Sequence, residues 1–172
     1  MTDVSDRNFG YLIAYLIPGF VVVASLAPHS PIVQAWIGLS PQDAPTVGGF
    51  LYVTLAAVAA GTVVSALRWL LIDPIHHVTG VKPPEWDFAS FGSKHAAFVA
   101  LAENHYRYAQ HYGNLFVALV IASVNSTASI GWLPMQPVVA GAAFVAILAL
   151  LFLASRDALR KYYDRTAALL GK

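Results

Sequence analysis

Apolar residues in this chain fill whole runs where a soluble helix or strand would show a stripe or an alternation. From Gly10 to Ala27 the sequence GYLIAYLIPGFVVVASLA has no charged residue, and Val47 to Ile72 is interrupted only by Arg68. Two more uncharged runs extend from Gly113 to Thr127 and from Val138 to Ala154. About 20 apolar residues in a helix match the hydrocarbon thickness of a bilayer. The pattern therefore predicts an all-α fold, a four-helix transmembrane bundle with spans near 10–27, 47–72, 109–128 and 137–155. A single membrane domain takes up 1–172, and 73–108 and 156–172 are its cytoplasmic elements.

Finer features refine each span. Pro18 and Gly19 lie in mid-span and predict a kink, because proline has no N–H for the helical ladder. Ala57, Gly61 and Ser65 recur every four residues. Such a small-residue stripe lets another helix come close, either inside the chain or in a homo-oligomer. Arg68, near one end of its span, is expected to snorkel to the headgroups. No proline interrupts the chain from Ser93 to Thr127, so Lys94 to Val124 reads as one helix of about 45 Å at 1.5 Å per residue. Its first half then projects from the membrane. The fourth helix continues as well, with Leu159, Tyr162, Tyr163, Thr166, Leu169 and Leu170 at helical spacing. Together the two extensions predict a cytoplasmic stalk. Ser30 and Pro31 read as N-cap and first residue of a short helix on the outer leaflet, Gly38 as its stop. A tight outer turn is expected around Gly131, Trp132 and Pro134.

Charge sets orientation. Apart from Arg68, near the inner end of the second span, every Lys and Arg falls before the first span, between the second and third, or after the fourth. Cations bias a segment to stay in the cytoplasm, so both termini and the middle segment are expected inside, in the inner membrane of a bacterium. A cleavable leader is disfavoured, since Asp3 and Asp6 outweigh Arg7 before the first run. Charged residues make up 11% of the chain, about half the share in a soluble domain. A net charge of +1 provides no phosphate-binding surface, and no nucleic-acid partner is expected. With no cysteine, thiolate and zinc-knuckle chemistry is excluded, so any metal site has to use His, Asp or Glu.

Candidate chemistry gathers between Asp73 and Gly113, a stretch that holds five of the six histidines. Asp73, His76 and His77 are the candidate ligands for a divalent metal such as Zn, Mn or Fe. The spacing matches no ligand motif, and adjacent histidines point apart on a helix. Glu103, Arg107 and His111 stand four residues apart and form a candidate catalytic stripe able to move protons at a phosphate. The plain reading is a solvated ion pair on the far side from the apolar face. Trp86, Phe88 and Phe91, after Pro83 and Pro84, are candidates for an interface anchor, a partner site or docking onto the stalk.

Two functions follow. One is a non-enzymatic subunit without cofactor that self-assembles in the lipid bilayer, as a sensor, effector or channel-like component, and offers its cytoplasmic face to a protein partner or signal. The other is a membrane-embedded hydrolase at the cytoplasmic leaflet, using the residues above with a divalent metal. The lack of Asp, Glu, Lys or His in the middle of any span argues against ion-coupled transport.

Overall fold

The structure is a computed structural model that describes residues 10–38, 46–125 and 137–170, and over these it is all-helical, with no β-strand among the described residues. A π-helical turn, Leu12–Leu16, leads into α1, Ile17–Ser25; a short α2 follows at Pro31–Ile37. The long α3 is Val47–Val78. Helix α4, Phe91–Leu101, passes through a π-helical turn, Ala102–Tyr106, into α5, Arg107–Asn125. Helix α6 is Pro137–Leu170. Three segments are long and apolar enough to cross a membrane: Leu12–His29, Val47–Val78 and Val138–Leu170. The turn expected around Gly131, Trp132 and Pro134 lies outside the described residues.

Local signals account for several boundaries. Ser30 accepts a hydrogen bond from the Val33 N–H, Pro31 opens α2, and Gly38 closes it at φ 69° in the left-handed region. This helix packs on the bundle: Val33 joins Val23, Ala27 and Val53 in one cluster, and Trp36 stacks on Tyr52. Thr46 caps α3 in the same manner by accepting from the Gly49 N–H. Helix α3 runs through Pro74 to Val78, so Asp73, His76 and His77 stand on a helix and not in the loop that the hydropathy pattern suggests. The long helix expected from Lys94 to Val124 is present as α4, the π turn and α5.

Directions follow from the residues that meet. Tyr15 and Gly19 lie against Gly61 and Ala57, and Val23 lies against Val53, so α1 and α3 are antiparallel. A Cβ at Gly19 would overlap the Ala57 carbonyl, and one at Gly61 would overlap the Tyr15 carbonyl, so the two backbones touch. The small-residue stripe is thus engaged inside the chain, with Ala57 and Gly61 buried and Ser65 half-buried.

Helix α5 runs parallel to α1: Arg107 lies over the Tyr11 ring at one end, and Asn125 Nδ2 donates to Ser25 Oγ at the other. Against α6 it is antiparallel, with Tyr106 on Tyr162 and Phe116 on Phe152. Helix α4, the π turn that follows it and the second half of α6 pack side by side. The core there is Val81, Ala109, Ala158, Leu159 and Tyr162.

Candidate functional site

Ionisable side chains collect at one end of the assembly, where α3 ends, α5 begins and α6 loses its apolar character. Two polar groupings meet there across α5.

The first lies among α3, α5 and α6. Arg68 does not snorkel; it is 2% exposed, and its Nη1 donates to Asp73 Oδ1 at 2.6 Å. Its aliphatic stem rests on Gly113, where a Cβ would come within 2.7 Å of Arg68 Cδ and 3.0 Å of Ser155 Oγ. Burial favours the ion pair over a free guanidinium, since a charge without its partner in such a setting is costly. Ser155 Oγ donates to the Ala109 carbonyl at 3.0 Å and ties α6 to α5. His76 is fully buried with its ring 4.8 Å from that of Phe152, and neither ring nitrogen has a partner among the described residues. Its neighbour His77 sits instead by Tyr163, Nε2 to hydroxyl at 3.2 Å. Asp73, His76 and His77 are thus directed at Arg68, Phe152 and Tyr163 respectively. Among the described residues no three His, Asp or Glu side chains gather so as to hold a metal ion.

The second grouping lies between α5 and the start of the chain's first helix. Pro18 has no N–H to return to the Ala14 carbonyl one turn earlier, and the helix widens into its π turn there. The carbonyls around this break are met by α5. His111 Nδ1 donates to Ile13 O and Asn114 Nδ2 donates to Ala14 O, each at 2.7 Å. Side chains of a neighbouring helix commonly satisfy backbone groups that a proline releases in a membrane. One turn before His111, the Arg107 guanidinium carbon stands 4.0 Å above the Tyr11 ring, its Nη1 donates to Gln110 Oε1, and Glu103 lies 3.8 Å away. The stripe Glu103, Arg107 and His111 is therefore not a solvated face turned away from the fold. It is the surface on which the first helix docks. Asn114, fully buried, escapes sequence reasoning; its spacing of three from His111, opposite a proline-broken helix, was the available signal.

The aromatic segment after Pro84 folds onto α4 and α6. Trp86 meets Phe98 edge-on at 6.4 Å, Phe91 meets Phe98 at 5.3 Å, and Phe98 meets Tyr162. Trp86 and Phe91 are half-buried, while Phe88 remains exposed. The same segment covers the end of α6, where carbonyls lack helical donors: the Asp87 N–H donates to Leu170 O and Lys94 Nζ to Leu169 O. A lysine also complements the negative end of a helix. Arg156 binds α6 to the end of α3 by donating to the Thr79 carbonyl at 2.6 Å and to its hydroxyl.

A groove between α5 and α6, of about 410 Å³, is open to solvent and walled by His105, Tyr108, Tyr112, Asp157, Lys161 and Arg165 among others. Arg165 donates to His105 Nε2, so the imidazole acts as a neutral acceptor there. Burial, then the charges of Arg165 and Lys161, hold the His105 pKa below the usual imidazole range.

No protein-family model matches this chain, and comparison with curated proteins and with solved structures finds no match either.

Proposed function

We propose that the protein is a non-catalytic, four-span membrane subunit, both termini inside, whose cytoplasmic stalk presents a polar face to a partner or signal. The observation that carries this reading is the employment of the candidate catalytic side chains. Arg107 and His111 hold the first helix, Glu103 lies beside Arg107, Asp73 holds Arg68, and His77 meets Tyr163. Groups engaged in holding helices are poorly placed to meet a substrate. His76 is fully buried, and the solvent-exposed polar side chains of this end, such as Arg160, Lys161 and Arg165, lie on the outer surface of the stalk.

The fourth span is supported by level. Helix α5 has too many polar residues to stand out by hydropathy, yet it accompanies α1 from Tyr11 and Arg107 at one end to Ser25 and Asn125 at the other. If α1 crosses the bilayer, α5 crosses with it. Its polar residues Gln110 and Asn114 are buried against protein, as intramembrane polar groups normally are. Alternating directions of α1, α3, α5 and α6 agree with a chain whose cationic segments all lie on one side.

Reporter fusions at positions 1, 85 and 172, together with a photo-crosslinker at exposed Arg160, test the proposal. Cytoplasmic signal from all three and a discrete crosslinked partner in native membranes are expected. A purified chain that hydrolyses a phosphate ester and loses that activity on His111→Ala would overturn it in favour of the hydrolase.

A further inference from the structure

The groove between α5 and α6 lies where a lipid headgroup would be. It begins at Ala154, where the apolar run of α6 ends, and reaches Arg165, about 16 Å further at 1.5 Å per residue. Tyrosines favour this depth because they have an apolar ring and a polar tip, and Tyr108 and Tyr112 wall the groove. Its charge is unequal. Lys161 Nζ holds Asp157 Oδ2 at 2.6 Å, whereas no carboxylate among the described residues lies within 4 Å of Arg165. The guanidinium has five donors, and the contact with His105 occupies only part of them. Two cations, one anion, two tyrosines and Asn104 thus line one opening of about 410 Å³.

We infer that this groove binds a phosphoryl group, with Arg165 as its principal contact and Lys161 as the second. Arg is suited to it because its planar fork matches two phosphate oxygens at once. His105 faces Arg165 from α5's side, and the only other charged groups walling the groove are Asp157 and Lys161. The neutral imidazole sets the direction of the guanidinium without competing for the anion. Asp157 keeps the unliganded groove from carrying two bare cations and yields Lys161 to the ligand.

The inference rests on the membrane reading above, since it places the stalk beside the bilayer surface, and the test separates the two. The full chain is purified in detergent and placed in nanodiscs of equal phosphatidylglycerol and phosphatidylcholine. Lipids retained on release into the gas phase are then counted by native mass spectrometry, with inorganic phosphate added in a parallel series. A chain that stays in solution without detergent ends the membrane reading before any lipid is counted. Preferential retention of phosphatidylglycerol by the wild-type chain, unaffected by phosphate, supports the site with a lipid as its source. Displacement of the lipid by phosphate, or phosphate binding alone, supports it with a soluble source. The Lys161→Gln/Arg165→Gln variant is expected to lose retention about 10- to 30-fold, as for two cations at an anionic surface, while Arg160→Gln on the same helix keeps it. Equal retention of both lipids with no phosphate binding, or a folded double variant that retains lipid like the wild type, overturns the inference.

Discussion

The seam between α1 and α3 is made from residues with almost no side chain, whereas the seam of α3, α5 and α6 at the charged end is made from some of the largest polar ones. Gly19 and Gly61 bring two backbones into contact, and the attraction there is dispersion between close surfaces. At the charged end Arg68 and Asp73 lie buried between helices and Ser155 bonds to a carbonyl of α5. Lipid does not drive apolar helices together, so a membrane protein has to rely on both means. The two respond differently to change: a close seam fails by addition, and a polar seam fails by subtraction.

The largest effect is expected at the polar seam. Arg68→Ala strands Asp73 as an uncompensated buried charge and should destabilise the fold by about 3–5 kcal/mol, read as a shift in the unfolding midpoint in mixed detergent micelles. The pair Arg68→Met/Asp73→Leu removes both charges and should recover most of that loss. A double variant as unstable as Arg68→Ala would show that the charges are not coupled. The close seam is tested next. Gly61→Leu forces side-chain atoms into the Tyr15 backbone and should cost about 1–3 kcal/mol or more, whereas Val63→Leu, on an exposed apolar face, should be silent in the same assay.

Smaller effects sharpen the comparison at the proline break. Removing the His111 or Asn114 donor should cost about 0.6–1.7 kcal/mol each, the range for single hydrogen bonds between membrane helices. In a Pro18→Ala background the restored N–H competes for the Ala14 carbonyl, so the penalty for Asn114→Ala should shrink. An unchanged penalty would mean that the side chain does not compensate the proline. The smallest effect concerns pH. His105 has a folded pKa below its ordinary value of about 6.5, so below that pH the unfolded chain binds more protons than the folded one. Stability then rises with pH through this window and levels off above it. His105→Gln should flatten the slope relative to wild type, and parallel slopes would show that other groups set it.

Much of this architecture was legible along the chain. The apolar runs marked α1, α3 and α6, the Ser30–Pro31 and Gly38 signals bounded α2, and the absence of proline after Ser93 announced the long helix of α4 and α5. Each is a local property, summed over neighbours in sequence. The roles of the polar residues were not legible in the same way. Arg68 was expected at the headgroups and is buried on Asp73; Glu103, Arg107 and His111 were expected to face away and instead receive the first helix.

Hydropathy and charge by themselves determined that the chain is helical, that it has segments fit to cross a membrane, and which segments share their cations. Each quantity depends on what a residue is and on those beside it. Only the tertiary structure decided which polar groups are clamps and which stay open, because His111 and Asn114 meet backbone carbonyls 98 and 100 residues away. A hydrogen bond needs its donor and acceptor within about 3 Å, and that proximity is a product of helix packing, to which no local window has access.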